Sequence, residues 1–257
     1  CDWSLGALSL FFTPFLKPMS IFDTFFHIAF RLHDWMSATL ARHLFTLKKL
    51  ILVGAHLSLF GFFFPEMRKD FGEIAATVLI GILFLSPVSQ ILRMRLLLQM
   101  MSLRREFGIL MGYLATVHGV GYLIDPDWLF SLTMLFQETG LSRESAPYFF
   151  GMLAYTLTLP LLFTSNAIAQ RMLGGVRWKL LHRSVYALFA VTILHRYLIQ
   201  GGDIGSLLQA LLLVSAYLLA KVLAYKNFLP PLVKILSYVS ERYRTFTLSK
   251  RVVTPGV

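Results

Sequence analysis

The residues of this chain that could do chemistry are histidines within apolar segments. His182 and His195 stand thirteen residues apart, and each is followed by an arginine, Arg183 or Arg196. At a helical rise of about 1.5 Å per residue, one helix would hold the two imidazoles roughly 20 Å apart along its axis. A hydrocarbon core is about 30 Å thick, so one imidazole is expected near each face of a bilayer. Imidazole is a common axial ligand of haem iron, and an adjacent guanidinium can pair with a haem propionate. The spacing therefore predicts haem ligation.

A third histidine, His118, lies at the depth needed to face His195. It stands thirteen residues beyond Arg105, and His195 stands thirteen beyond His182. If both helices run in the same direction, His118 is level with His195 on the outer side. Arg104 or Arg105 is then level with His182 on the inner side. Two imidazoles on one iron make a six-coordinate b-type haem, which suits electron transfer and not oxygen chemistry. His182 has no histidine opposite it, so a second haem there would need a different ligand.

An ideal helix does not place His182 and His195 on the same face. Thirteen residues at about 100° each leave them about 140° apart around the axis, which helix tilt or haems approached from different sides must absorb. The alternative for any one histidine is a hydrogen bond to a neighbouring helix. The glycines around His118 allow either close helix packing or the approach of a flat porphyrin. These glycines are Gly112, Gly119 and Gly121.

The other histidines favour structural roles. His56 lies within the first predicted span, and we interpret it as a helix-packing residue, with a spare haem ligand as the alternative. His27, His33 and His43 belong to an amphipathic segment at 18–47, where apolar residues recur at helical spacing. They are interpreted as solvated or interfacial side chains.

The composition is that of a membrane protein. Of 257 residues, 56% are hydrophobic and only 14% are charged, and the mean hydropathy is +0.67. Soluble domains average about 25% charged residues, so the chain is predicted to be polytopic and to contact membrane lipid. The formal net charge of +11 comes from cations between apolar spans. Setting the topology explains them more simply than nucleic acid does. The one cysteine, Cys1, excludes an intrachain disulfide framework and an iron–sulfur site with several Cys ligands.

Apolar segments predict six membrane spans. Basic segments at 48–49, at 93–105, at 171–183 and after 221 alternate with less basic ones at 65–72, 125–146 and 200–204. Because cytoplasmic loops carry the excess of Lys and Arg, both termini are predicted in the cytoplasm and the other side, in a bacterium, is the periplasm. The predicted location is the bacterial inner membrane. The spans cover about 50–64, 73–92, 107–124, 147–163, a fifth that carries His182 and His195, and about 205–224.

The predicted fold class is all-α, a six-transmembrane-helix haem-binding bundle with an N-terminal amphipathic extension. We expect an N-terminal extension at 1–47 with an interfacial helix, a membrane haem domain at 48–226 and a basic cytoplasmic tail at 227–257. An acidic outer segment at 125–146 has an apolar middle that could lie on the membrane surface.

Several motifs resemble the ferric-reductase-like transmembrane family, whose fold also occurs in NADPH oxidases. They are R-R-x-F-G at 104–108, His118, W-K-x-L-H-R-x-V-Y at 178–186 and Leu194-His195. Within that family they most resemble the MsrQ group, the haem-binding membrane subunits of bacterial periplasmic methionine sulfoxide reductase systems. The resemblance covers roughly residues 48–226.

The resemblance implies an electron-transfer function. Electrons would enter from a cytoplasmic flavin reductase or the quinone pool, cross through one or two b haems, and leave to a periplasmic molybdenum-containing reductase. His118, His182 and His195 match the family's haem histidines. The basic inner loops could also dock an acidic donor or hold the phosphate of FMN, although setting the topology is the simpler role. No G-x-G-x-x-G fingerprint is present, so the electron donor is expected to be a separate polypeptide or quinol.

Two further hypotheses remain open at the level of sequence. The chain could be a self-standing metal-ion or quinone reductase, or a haem-free transporter or assembly protein whose histidines relay protons or brace helices. The span histidines lack matched acids, so a nucleophilic hydrolase site is not predicted. The catalytic site of the system is expected on a partner.

Overall fold

The computed structural model describes residues 21–124 and 145–226. This part of the chain forms eight α-helices and short 3₁₀ segments and contains no strand. Most of the predicted acidic outer segment, the basic tail and Cys1 lie outside the described residues. The helices are α1 (Ile21–Leu57), α2 (Arg68–Leu92), α3 (Arg95–Met100), α4 (Arg104–Leu123), α5 (Ala146–Phe163), α6 (Ala167–His182), α7 (Val185–Ile199) and α8 (Ile204–Lys226).

Local sequence explains where several of these helices end. α2 stops at Arg93, which adopts a left-handed conformation with φ of 50°. α5 begins with Pro147 in its first turn, where the missing N–H has no partner to lose. Asn166 caps α6, because its side chain accepts a hydrogen bond of 2.8 Å from the backbone N–H of Ala169. These ends separate the apolar segments much as the sequence predicts.

The N-terminal helix is longer than the predicted first span. α1 runs without a break through residue 47, where the sequence analysis divides an extension from the membrane domain. A 3₁₀ segment, Ser58–Phe63, follows α1, and the candidate membrane span Arg31–Phe63 extends the predicted one at 50–64 on its N-terminal side. The 47/48 domain boundary therefore falls inside one helix and stays a prediction.

The basic segment before His182 is a helix and not the predicted loop. α6 covers Ala167–His182, with a kink at Gly174, where φ is 73°. His182 ends this helix, and α7 starts at Val185 after a two-residue turn. The prediction that one span carries both His182 and His195 is therefore wrong. The 140° offset assumes one continuous ideal helix, and the helix is interrupted at Arg183 and Ser184, where the backbone hydrogen bonds span three residues.

The chain is an all-α, multi-pass membrane protein. Four helical stretches are long and apolar enough to cross a bilayer: Arg31–Phe63, Pro65–Leu92, Ala146–Phe163 and Ile204–Tyr225. α4 is less apolar, since it carries Glu106 and His118, and α7 has only 15 residues. The count of six spans therefore stays a prediction. Outward-facing leucines on α8, such as Leu212 at 74% exposure, fit contact with lipid.

The core joins five helices and sets the position of the site. α4 packs against α1, α2 and α5, and the two most extensive helix interfaces are α2 with α4 and α5 with α7. In each of these pairs, the second helix carries one of the two outer histidines near its C-terminus. The buried cluster between the helices comprises Ala75, Leu79, Leu83, Met111, Leu114, Leu161, Leu188, Phe189 and Tyr217.

Candidate functional site

His118 on α4 and His195 on α7 face each other inside the bundle. Their ring centroids lie 6.4 Å apart and the rings are inclined at 68°. An imidazole nitrogen binds a transition metal at about 2 Å and lies about 1 Å from its ring centre, so two imidazoles on one ion hold their centres about 6 Å apart. The separation of the two rings therefore fits one metal ion between them.

The hydrogen bonds of both rings leave the same nitrogen free. Nδ1 of His118 lies 2.8 Å from the backbone oxygen of Arg68, and Nδ1 of His195 lies 2.8 Å from that of Pro147. A carbonyl oxygen only accepts, so each Nδ1 carries the proton and donates. Nε2 of each neutral ring then keeps its lone pair, which is the state that ligates a metal.

A cavity of about 610 Å³ surrounds the two histidines. Cofactor sites commonly occupy about 300–1,000 Å³ and are mostly apolar. Small residues from three of the surrounding helices, α2, α4 and α5, leave backbone bare along the cavity, which suits a flat macrocycle. They include Gly72, Ala75, Ala76, Ala115, Gly119 and Gly151.

Charged groups stand at the mouth of this cavity. Arg196, next to His195, lines it together with Lys69 and Glu73. Nζ of Lys69 lies 3.8 Å from a carboxylate oxygen of Glu73, a separation at which the pair is weak. Arg196 and Lys69 therefore place two cations at the cavity. The predicted pairing of Arg196 with a haem propionate stays a prediction.

His182 lies away from this cavity, in a cluster at the other end of the bundle. Its Nε2 is 3.1 Å from Oγ1 of Thr164, whose hydroxyl donates to the carbonyl of Pro160 at 2.6 Å. Nε2 of His182 is therefore the donor, the reverse of the state at His118. The indole of Trp178 stacks on the ring at 4.0 Å and donates to the carbonyl of Thr164 at 2.9 Å. The described residues bring no second histidine to His182, and its role as a haem ligand stays a prediction.

The predicted inner-side arginines serve this same end of the bundle. Nε of Arg105 donates to the carbonyl of Ser165 at 2.9 Å, which ties the start of α4 to the turn between α5 and α6. Arg104 lies near Tyr186 and Tyr217 at the facing ends of α7 and α8. Arg183 is exposed in the turn after His182. None of the three lines the cavity that holds the histidine pair.

His56 occupies the helix-packing position preferred for it. Its Nδ1 donates to the carbonyl of Leu52 at 2.7 Å, and its Nε2 lies 3.3 Å from the hydroxyl of Tyr113 on α4. Both ring nitrogens have partners, so the side chain joins α1 to α4 and is no spare ligand.

Sequence reasoning missed the groups that orient the two outer histidines. These groups are the backbone carbonyls of Arg68 and Pro147, and the residue type at either position does not reveal that its carbonyl accepts from a histidine. Gly72 and Gly151 also passed unnoticed, although a Cβ at either position would collide with a histidine ring. Gly72 lies four residues after the first residue of α2 and Gly151 lies five after the first residue of α5, and the predicted span starts at 73 and 147 did not single them out.

Comparison with known families supports the interpretation of the motifs. The family model described as "Ferric reductase like transmembrane component" matches residues 71–193. The match includes His118 and His182 and ends two residues before His195. It covers α2, α4, α5 and most of α7, the helices that surround the cavity.

Relatives carry two kinds of name. The chain is 30% identical over 140 residues to the magnetosome protein MamZ of Magnetospirillum gryphiswaldense, a match of 54% of this chain and 20% of that protein. It is 31% identical over 140 residues to the protein-methionine-sulfoxide reductase heme-binding subunit MsrQ of Cronobacter sakazakii, covering 52% of this chain and 66% of the relative. It is 34% identical over 120 residues to MsrQ of Deinococcus radiodurans, covering 47% and 57%.

The matched region is thus a fifth of MamZ and two thirds or less of the MsrQ subunits. No solved structure matches the chain. The motifs, the helical membrane architecture and the family match nevertheless agree over the same helices. Residues 71–193 of the chain therefore belong to the ferric-reductase-like transmembrane family.

Proposed function

We propose that the chain binds a b-type haem between His118 and His195 and serves as the membrane electron-transfer subunit of an oxidoreductase system. The observation that carries the proposal is the pair of opposed rings, each donating through Nδ1 to a backbone carbonyl and each presenting Nε2. Their separation, the small residues around them and the cationic mouth of the cavity all fit this group. A haem held by two histidines supplies one-electron transfer without an open iron position.

The protein's own contribution is to bind, orient and enclose. The Nδ1–carbonyl bonds fix the ring orientation and tautomer of His118 and His195, and raise the basicity of Nε2. The apolar lining keeps water away, which lowers the local dielectric and tunes a redox centre. Arg196, with Lys69 opposite, would pair with the propionates at the mouth.

In this proposal the histidine pair lies on the side of the membrane from which electrons leave. Both histidines lie near the C-terminal ends of α4 and α7, away from Arg104, Arg105 and the basic helix α6. Because basic segments face the cytoplasm, the pair lies toward the periplasmic side of a bacterial inner membrane. The termini of the chain are then cytoplasmic.

The names of the MsrQ relatives suggest the partners. Those relatives are heme-binding subunits of a protein-methionine-sulfoxide reductase. For this chain we propose a periplasmic molybdenum-containing reductase as acceptor, and a cytoplasmic flavin reductase or the quinone pool as donor. If the donor is a flavin system, we propose that the basic inner loops hold the phosphate of FMN.

The test is optical spectroscopy on protein purified after haem-replete expression. Wild type should show reduced-minus-oxidised b-haem bands, and a pyridine haemochrome assay should give the haem type and stoichiometry. His118→Ala and His195→Ala should each lose this haem, because either change removes one axial ligand. His56→Ala is the matched control, since it removes a histidine outside the cavity and should keep the bands. A colourless wild type, or unchanged spectra in both variants, would overturn the proposal.

A further inference from the structure

The two outer histidines are held by the same local arrangement in two different helix pairs. In the α2–α4 pair, His118 donates to the carbonyl of Arg68 in the first turn of α2. In the α5–α7 pair, His195 donates to the carbonyl of Pro147 in the first turn of α5. Both hydrogen bonds measure 2.8 Å. The shared geometry suggests a shared requirement at the neighbouring positions.

That requirement is a glycine four residues after each carbonyl. In an α-helix, the side chain at i+4 stands next to the carbonyl of residue i on the same face. Here the i+4 residues are Gly72 and Gly151. A Cβ built on Gly72 would lie 2.5 Å from Nδ1 of His118, and a Cβ on Gly151 would lie 2.9 Å from Cε1 of His195. Neither ring could keep its carbonyl bond beside an alanine, because ordinary carbon contacts need about 3.5 Å or more.

We propose that Gly72 and Gly151 are positioning residues that set the redox potential of the haem, a proposal that rests on the proposed haem site. Each glycine leaves the space in which an imidazole forms its hydrogen bond to the carbonyl. The Nδ1–H···O=C bond makes an imidazole a stronger donor to iron, and stronger donation stabilises the oxidised form. Loss of either bond should therefore move the midpoint potential to a more positive value. The shift should be larger at position 72, where the added methyl group meets the ring at the shorter distance.

The experiment compares glycine-to-alanine variants of the full chain in detergent. Gly72→Ala and Gly151→Ala should keep the haem but shift its midpoint potential upward in a potentiometric titration. Gly81→Ala on α2 and Gly108→Ala on α4 are matched controls, because a Cβ at either position meets nothing within 4 Å. Both controls should keep the wild-type potential, and a helix gains slightly from the replacement of glycine by alanine.

A second measurement uses wild type alone. In the reduced, low-spin protein labelled with ¹⁵N-histidine, NMR should detect two ligand histidines with Nδ1–H protons that exchange slowly with water. This result decides the matter if either alanine variant loses its haem altogether. Fast exchange of both protons, or potentials unchanged in variants that retain haem, would overturn the positioning role. A wild type without haem would instead overturn the proposed function itself, so the two failures can be told apart.

Discussion

Replacement of His182 by alanine tests whether the inner end of the bundle carries a haem. In the structure, the imidazole donates to Thr164 through Nε2 and stacks on Trp178. Nε2 is the nitrogen that the two outer histidines keep free. A structural role therefore predicts that His182→Ala leaves one haem per chain and loosens the contact between α5 and α6.

The expected loss of stability follows from two contacts. One hydrogen bond is worth about 1 kcal/mol net. A stacked aromatic pair adds about 0.5–1.5 kcal/mol beyond the area that it buries. Because His182 is only partly buried, the sum should fall at about 1.5–2 kcal/mol. For a chain of this size, about 2–4 °C of melting temperature accompanies each kcal/mol, so His182→Ala should melt roughly 3–8 °C below wild type.

Thr164→Val is the matched variant. It removes the hydroxyl that accepts from His182 but leaves the imidazole itself in place. If His182 is structural, Thr164→Val should also lower the melting temperature, by the hydrogen-bond part alone, and leave the haem stoichiometry at one. Haem content by pyridine haemochrome and melting by intrinsic fluorescence can be measured on the same samples. A wild type with two haems, reduced to one in His182→Ala and kept at two in Thr164→Val, would refute this reasoning.

Two further predictions concern opposite kinds of charged residue. Arg196→Leu should release haem roughly 10–100-fold faster to an apo-globin acceptor, because one charge-assisted hydrogen bond is worth about 1.5–3 kcal/mol. Arg183→Leu, in the exposed turn, should release haem at the wild-type rate. Equal rates in the two variants would contradict the assignment of Arg196. Hydrogen bonds from the hydroxyl and backbone of Ser206 hold the pKa of Asp203 below its ordinary value, so the cap at the start of α8 is complete above the ordinary pKa and is lost as the pH falls through the lowered one. The protection factor of the Ser206 amide, which is the intrinsic exchange rate divided by the observed rate at the same pH, should fall at acidic pH in wild type and be low at every pH in Asp203→Ala. A protection factor that does not depend on pH in wild type would refute the capping role.

Much of the architecture could be predicted because it depends on hydrophobic runs and their breaks. The spans predicted at 73–92, 107–124, 147–163 and 205–224 correspond to α2, α4, α5 and α8 within a few residues. The relative depth of His118 and His195 followed from counting residues from the basic inner ends. Rise per residue is nearly constant in a helix, so the count from Arg105 to His118 holds within α4. The count from His182 to His195 crosses the break between α6 and α7 and has no such basis.

Tertiary contacts decided what the sequence could not. The basic stretch at 167–182 lacks a strong apolar stripe, and two glycines, Gly174 and Gly175, interrupt it. It is nevertheless helical, because Asn166 caps its start and Trp178 and His182 anchor its last turns on Thr164. Lysine and arginine counts place such a segment on one side of a membrane but do not distinguish a loop from an interfacial helix.

The arrangement of the ligand pair could not be predicted for a different reason, since every residue has a backbone carbonyl whatever its type. In the sequence, the accepting carbonyl is indicated only by the glycine that leaves space for the imidazole beside it. A glycine in a membrane helix can have many other roles. Gly112, for example, meets the side chain of Leu162 on a neighbouring helix. Gly72 and Gly151 differ from such packing glycines, because a Cβ on either would collide with a histidine ring. The Nδ1 of that ring donates to the carbonyl four residues before the glycine. Two helix pairs with little shared sequence thus present equivalent imidazoles, and that equivalence comes from backbone geometry.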